Sequence, residues 1–255
     1  MAKDIWCVDN PVDRAAITAT GAVAGLTPDR IADPRRGKAW RPGAPTDTLK
    51  ITFANAVQVD VILVAGPAFK PDTELTLELS STPGAGDLRT GPWLPKIDRM
   101  ARQALWIADV DAPGGTGLTV REIVLSASGL DIGRVWAGPA LWRPHFTHVY
   151  GAQQFVEDLS QKQVALRSGT VFTDTAARLR RQEIKYEAMP VFEWDGPARD
   201  LSLTAGLAKQ VLFVPDHEYY PPERHAILGY QETLNPIQAL GFRRFEQTFV
   251  LRESG

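Results

Sequence analysis

The chain has 255 residues, 44% of them hydrophobic, which is enough apolar material for one large or two modest cores and disfavours disorder. Its 28 basic and 30 acidic residues are mixed along the chain and give a net charge of -2, so no basic field would attract a nucleic-acid backbone. The single cysteine, Cys7, excludes an internal disulfide and a multi-cysteine zinc site and favours a reducing cytoplasm.

No segment approaches the roughly 20 apolar residues that a membrane span needs. Residues 1–10 also lack the apolar core of a signal peptide. We therefore expect neither a membrane span nor export through a signal peptide.

The first part of the chain is predicted to be β-structure. Residues 48–53 alternate, residues 57–64 form a nearly unbroken β-branched run, and residues 74–79 (ELTLEL) have a period of two. Turns rich in glycine and proline separate these runs. Further strands are predicted at residues 103–108, 118–127 and 130–141. Together they predict an antiparallel β-sandwich domain over residues 1–145.

The remaining residues, 146–255, are predicted to form a smaller, β-rich α+β domain. One short amphipathic helix is expected at residues 198–209, where Leu201, Ala205 and Ala208 share a helical face. Strands are predicted on both sides of it, at residues 163–167, 170–173, 177–187, 211–214, 224–233 and 243–252.

Two segments of the first domain carry a resemblance to a known family. Residues 30–41 (RIADPRRGKAWR) and 132–140 (IGRVWAGPA) resemble the start and the last strand of galactose-binding-like (discoidin-like) jelly rolls in phage and prophage tail proteins. The second domain is similar to the C-terminal half of siphophage minor tail proteins. The resemblance covers the chain as a pattern of strands and turns, without a catalytic signature.

This resemblance implies a structural component of a bacteriophage tail tip or baseplate. Its expected partners are the distal tail protein, the hub protein and the tape-measure region, with further copies of itself in a homo-oligomer within the tail. It would be made in the host bacterial cytoplasm and reside in the virion. No nucleophile elbow, P-loop or dinucleotide fingerprint is present, so we expect no enzyme activity and no cofactor.

The alternative function is a carbohydrate-binding module that contacts glycans of the host envelope. An aromatic ring offers an apolar face to the C–H side of a sugar ring. Trp93 is the candidate, with Arg89 and Lys96 beside it in a long loop. A purely structural role for Trp93 is the competing interpretation.

Two groups of residues are metal candidates. Asp109 and Asp111, followed by two glycines, are typical of a carboxylate loop for a structural calcium ion, although the full calcium-loop pattern is missing and a plain turn is the alternative. His145 and His148 have the spacing of two ligands on one helical face. Pro144 instead favours a loop with interdomain hydrogen bonds.

Arginine and tyrosine are enriched at protein interfaces, and the second domain has two groups of them. The predicted interface residues are Arg178, Arg180, Arg181, Tyr186, Tyr219 and Tyr220. The first four lie on the strand predicted at residues 177–187, and the last two lie in the polar loop 216–220, which is expected to be exposed. A solvated edge strand guarded by charge is the alternative for the arginines.

Overall fold

The structure is a computed structural model. It describes residues 4–35, 37–67, 75–89, 92–93, 102–108, 117–127, 131–145, 148, 153–158, 160–164, 171–174, 178–216, 222–241 and 243–254. The protein is mainly β, and the strand pairs are antiparallel.

The strands are numbered in chain order. They are β1 (Ile5–Cys7), β2 (Ala16–Ala19), β3 (Thr48–Val59), β4 (Val61–Ala65), β5 (Leu75–Ser80), β6 (Pro92–Trp93), β7 (Gln103–Ile107), β8 (Leu118–Ala127), β9 (Arg134–Gly138), β10 (Gln153–Asp158), β11 (Gln161–Val164), β12 (Val171–Asp174), β13 (Arg178–Pro190), β14 (Val211–Val214), β15 (Ile227–Thr233), β16 (Gln238–Gly241) and β17 (Arg244–Glu253).

The helices are short. They are α1 (Val191–Glu193), α2 (Arg199–Ala205) and α3 (Pro222–His225), with single 3-10 turns at Pro11–Arg14 and Pro28–Ala32 and a π-type turn at Trp194–Ala198.

The first two layers form a β-sandwich. One sheet has five strands in the order β2-β3-β8-β5-β6, and the other has three in the order β7-β4-β9. In β5, Leu75, Leu77 and Leu79 are buried while the residues between them point away from the core, as the period of two requires. The antiparallel sandwich predicted from the sequence is confirmed.

A third layer packs on the outer face of the three-stranded sheet. It is a seven-stranded sheet in the order β1-β14-β15-β17-β13-β10, with β16 paired to β17. Ile62 and Val64 of β4 pack into the sandwich core, and Val61 and Leu63 pack against the third layer. Because β4 is covered on both faces, its sequence is continuously apolar and does not alternate.

The other face of the seven-stranded sheet has its own core, which includes Leu201 and Ala205 of α2. In it, the indole of Trp6 on β1 stacks on Trp142, with ring centroids 6.2 Å apart. Trp6 Nε1 donates a hydrogen bond of 2.9 Å to the hydroxyl of Tyr186, which donates one of 2.8 Å to Asp4. The first residues of the chain are thus tied to β13.

The prediction of a β-rich second part with one short amphipathic helix is also confirmed. That helix is α2, whereas α1 and α3 are single turns. The helix ends at Ala205, earlier than predicted, because Gly206 has a positive φ of 52°. The division at residue 145 stays a prediction. However, β1 pairs with β14 and shares a core with it, so the two parts of the chain pack as one body.

Candidate functional site

A cleft opens where the sandwich meets the seven-stranded sheet, and we call it the seam cleft. Its volume is about 320 Å³, at the lower end of the range of small-molecule clefts. It is lined by Val8, Asp9, Asn10, Asp13, Arg14, Pro34, Arg134, Trp136, Thr204, Ala208, Lys209, Gln210 and Tyr230. These residues come from the segment after β1, from β9, from the end of α2 and from β15.

One wall of the cleft is formed by residues 8–14, which follow β1, and Asn10 fixes this wall to the sandwich. Its side-chain amide donates to the carbonyl of Val135 and accepts from the N–H of Ala137, both at 3.1 Å. A Cβ added to Gly138 would lie 2.5 Å from the carbonyl oxygen of Asp9, so only glycine allows this approach. The wall is therefore fixed to β9 by both packing and hydrogen bonds.

Two bidentate ion pairs stand in this wall. Arg14 contacts Asp9 at 2.8 and 2.9 Å, and both side chains are more than half exposed. The Asp9 carboxylate raises the pKa of Arg14 through this hydrogen bond and its charge. Arg134 is buried and contacts Asp13 at 2.5 and 3.0 Å, while the Asp13 side chain is 44% exposed. Each arginine thus fixes the orientation of a carboxylate that reaches the surface.

Three lining residues also carry buried polar atoms without a hydrogen-bond partner in the described part of the chain. They are Trp136 Nε1, Gln210 Oε1 and Arg134 Nε. The amide nitrogen of Gln210 donates a hydrogen bond of 2.9 Å to the carbonyl of Pro34, which holds the side chain in place. Buried polar groups normally have partners, so these atoms are hydrogen-bonding capacity that the lining residues do not use among themselves.

The residues predicted for carbohydrate binding lie elsewhere. Arg89 is half-buried, and its backbone pairs with Leu79 at the edge of the five-stranded sheet. The backbone of Trp93 pairs with Leu75, and Lys96 lies outside the described residues. The prediction of a sugar site at these three residues remains untested.

The metal candidates have different outcomes. Asp109 and Asp111 lie outside the described residues, so the calcium prediction remains open. His148 Nδ1 lies 2.9 Å from a carboxylate oxygen of Asp4, and the backbone N–H of His145 donates to Glu193. These contacts favour interdomain hydrogen bonding at these histidines. Within the described residues, no group of three or more metal-ligating side chains comes together.

The predicted interface needs a correction. Arg180 is 5% exposed and forms an internal ion pair with Glu253 at 2.7 Å, and Tyr186 is 3% exposed. Alternate residues of a strand face opposite sides, and these two point into the core beneath α2 and the chain end. Neither residue is available to a partner protein.

The other four predicted interface residues lie in different environments. Arg178 is exposed and pairs with Asp158, and Arg181 is half-buried and pairs with Glu232. Tyr219 and Tyr220 lie outside the described residues. Asp216, which was expected in an exposed loop, is 3% exposed.

No local pattern in the sequence indicates the seam cleft. Asp13 and Arg134 are 121 positions apart, and Gln210 and Pro34 are 176 apart. No local spacing connects them. The sequence signal nearest to the cleft is Arg134 with Trp136 in the segment 132–140, and this segment predicts a strand and no binding role.

No family model matches the chain, and no curated protein matches it. Among solved structures, a fucose binding module of Streptococcus pneumoniae is similar with a TM-score of 0.41 and 8% identity, covering 52% of this chain and 96% of the module. The family 32 module from Clostridium perfringens NanJ, solved with galactose, has a TM-score of 0.39 and 13% identity, covering 52% and 98%.

A third neighbour is the module CBM32-6 of CpGH89, also from Clostridium perfringens. Its TM-score is 0.41 at 11% identity, and the match covers 52% of this chain and 100% of the module. The three neighbours are carbohydrate-binding modules. At TM-scores of 0.41 or below, these likenesses do not decide what this chain binds, and tail membership stays a prediction from the sequence resemblance. No helix in the described part of the chain is long and apolar enough to cross a membrane.

Proposed function

We propose that this protein is a non-catalytic carbohydrate-binding protein and that the seam cleft holds a short, neutral glycan. The observation that carries the proposal is the cleft's combination of fixed polar groups with unpartnered ones. Sugar hydroxyls both donate and accept hydrogen bonds, so they suit a wall of carboxylates and guanidinium groups held in bidentate pairs. Tyr230, a half-buried lining residue, adds aromatic surface for the apolar side of a sugar ring.

The charge of the cleft favours a neutral ligand. Its charged lining residues are two carboxylates and three cations, namely Asp9, Asp13, Arg14, Arg134 and Lys209. Four of these residues form the two ion pairs, and Lys209 makes no ion pair with the described residues. Among the described lining residues, a phosphorylated or polyanionic ligand would find one unpaired cation, whereas a neutral, hydroxyl-rich ligand meets many acceptors and donors.

The same geometry argues for binding rather than hydrolysis. Glycoside hydrolysis needs one carboxyl group that gives up a proton and a second that acts as base or nucleophile. Asp9 and Asp13 are each held in a bidentate pair with an arginine, so both oxygens of each carboxylate already accept a hydrogen bond from a guanidinium group and their orientation is fixed. Both carboxylates are therefore suited to accept hydrogen bonds from a bound sugar.

The test is a titration with galactose and with fucose, followed by intrinsic tryptophan fluorescence and by ligand-observed NMR. We expect saturable binding that Arg14→Ala weakens by about tenfold, since the arginine holds the Asp9 carboxylate in place and one charge-assisted hydrogen bond contributes about 1.5–3 kcal/mol. Arg178→Ala is the matched control, because Arg178 is similarly exposed and also pairs with a surface carboxylate, that of Asp158, away from the cleft.

Two results would contradict the proposal in different ways. Absence of binding to either sugar at millimolar concentration would count against the function. Binding that Trp93→Ala abolishes and Arg14→Ala leaves unchanged would keep the function but move the site to the loop predicted from the sequence.

A second candidate function is assembly with other proteins, and one observation favours it. Ten large hydrophobic side chains are exposed among the described residues, and eight of them lie in the second part of the chain. They are Phe155, Val156, Val191, Phe192, Leu203, Leu207, Leu234 and Leu240. Leu203 and Leu234 line a common groove, and contiguous exposed apolar surface is typical of protein contact sites. The resemblance to minor tail proteins would make the tail tip the setting.

The assembly function is tested with the neighbouring genes. A tail-tip protein is expected beside genes for tape-measure and hub proteins, and their products should co-purify with it. We expect Leu203→Glu to reduce this co-purification and Val23→Glu, which changes an exposed residue of the first part, to leave it intact. A gene without such neighbours would count against a tail-tip role.

A further inference from the structure

The two ends of the strand order β1-β14-β15-β17-β13-β10 differ in how they are covered. At one edge, the backbone of Trp6 in β1 bonds to Trp142, with N–H···O distances of 2.9 and 3.2 Å. At the other edge, β10 pairs with β13 and with no further strand among the described residues. An uncovered edge presents unpaired backbone donors and acceptors, which is a template for another strand.

The side chains of this edge are apolar at its centre. Phe155 is 43% exposed and Val156 is 50% exposed, and they point to opposite faces of the sheet. Phe155 lies on the face of Arg181, its cross-strand neighbour. Edge strands are usually protected by lysine, proline or a bulge, and residues 153–158 (QQFVED) contain no lysine or proline.

The acidic end of β10 is neutralised within its own chain. Glu157 pairs with Arg252 at 2.9 Å, and Asp158 pairs with Arg178 at 3.2 Å. Two such strands would therefore approach each other without like-charge repulsion. A basic partner strand would gain little from these carboxylates, because both are already paired.

We propose that β10 is a self-association edge, where a second copy of this chain adds its own β10 antiparallel about a two-fold axis at Phe155. Each Phe155 then faces its copy, and Gln154 faces Val156 of the second chain. A two-fold axis perpendicular to the sheet places only residues of the same face opposite each other. Centring the axis on Val156 would oppose Phe155 to the paired Glu157, so the Phe155 register is favoured.

This association closes on itself, because each copy uses its open edge once. The cross-strand aromatic pair and the new backbone hydrogen bonds stabilise it. A contact of six residues per strand is small, so we expect a reversible dimer. The proposal does not depend on the glycan site, which lies on other elements.

The test is sedimentation equilibrium of the full chain across micromolar concentrations. We expect the wild-type mass to rise towards twice the 28.0 kDa of one chain. Phe155→Glu and Phe155→Lys should each stay monomeric, since like charges would then face each other. An equimolar mixture of the two variants should restore the dimer, because glutamate then faces lysine.

Leu207→Glu, which changes another exposed apolar residue, should behave as the wild type. A wild type that stays monomeric would overturn the proposal. So would a dimer that survives Phe155→Glu, or a mixture of the charged variants that stays monomeric while the wild type dimerises. Galactose titration of the monomeric variants reports separately on the glycan proposal.

Discussion

Tyr186 connects the start of the chain to the long strand β13, and Tyr186→Phe isolates the contribution of its hydroxyl. That hydroxyl donates to Asp4 at 2.8 Å and accepts from Trp6 Nε1 at 2.9 Å. All three residues are buried, with at most 3% exposure. The substitution keeps the ring and its contacts with Trp142 and Phe249.

The expected cost follows from these two bonds. A hydrogen bond to a charged group contributes about 1.5–3 kcal/mol, and a buried donor left without a partner costs about 1–3 kcal/mol. Asp4 retains its bonds from His148, so the two contributions overlap. We therefore expect Tyr186→Phe to lower the free energy of unfolding by about 2–4 kcal/mol.

The assay is urea denaturation followed by tryptophan fluorescence. Tyr230→Phe is the control, because it removes the same group from a half-buried tyrosine whose hydroxyl makes no hydrogen bond to the described residues. A loss below about 0.5 kcal/mol for Tyr186→Phe, or equal losses for both variants, would refute the claim that this hydroxyl ties the chain start to β13.

Three further predictions follow from buried positions. Burial raises the pKa of the Glu193 carboxyl, although the hydrogen bond from the His145 N–H partly offsets this, so ionisation of Glu193 lowers the stability of the folded protein above that pKa. Glu193→Gln should therefore stabilise the protein at neutral pH, and this advantage should shrink in acid. An advantage in denaturation curves that is the same at all pH values would contradict this. Burial also raises the pKa of the Cys7 thiol, so a disulfide reagent should react with it only as the protein unfolds, and rapid labelling of native protein would refute this. A Cβ at Gly229 would lie 1.9 Å from the Arg252 carbonyl oxygen, so Gly229→Ala should cost roughly 3 kcal/mol or more in thermal melts. Gly37→Ala, which meets nothing within 4 Å, is its control and should melt as the wild type does.

Secondary structure in this protein is largely readable from local pattern. The alternation of residues 74–79 predicted β5, and the strand predicted at residues 118–127 is β8. Turn chemistry and side-chain alternation act over a few residues, so a single segment contains the whole signal. The same holds for α2, whose apolar face was visible as a helical spacing.

Five strands were not predicted from the sequence, namely β1, β2, β6, β10 and β16. The shortest of them show why, because their signal is not local. β1 has three residues, and it is a strand because β14 lies beside it, with Ile5 opposite Val214. β16 is likewise short and exists by pairing with β17. Short strands carry too few residues for a periodic pattern and depend on a distant partner.

What the sequence by itself determined is the class of fold: an antiparallel, mainly β protein with one short amphipathic helix. The tertiary structure decided which charged and aromatic residues are available for function. Arg180 and Arg181 are neighbours with the same chemistry, yet the Arg180 side chain is buried against Glu253 and that of Arg181 is 40% exposed. Strand alternation separates them, but only the packing of the third layer selects the face that is covered. The seam cleft depends on that packing too, because its walls come from residues more than 100 positions apart.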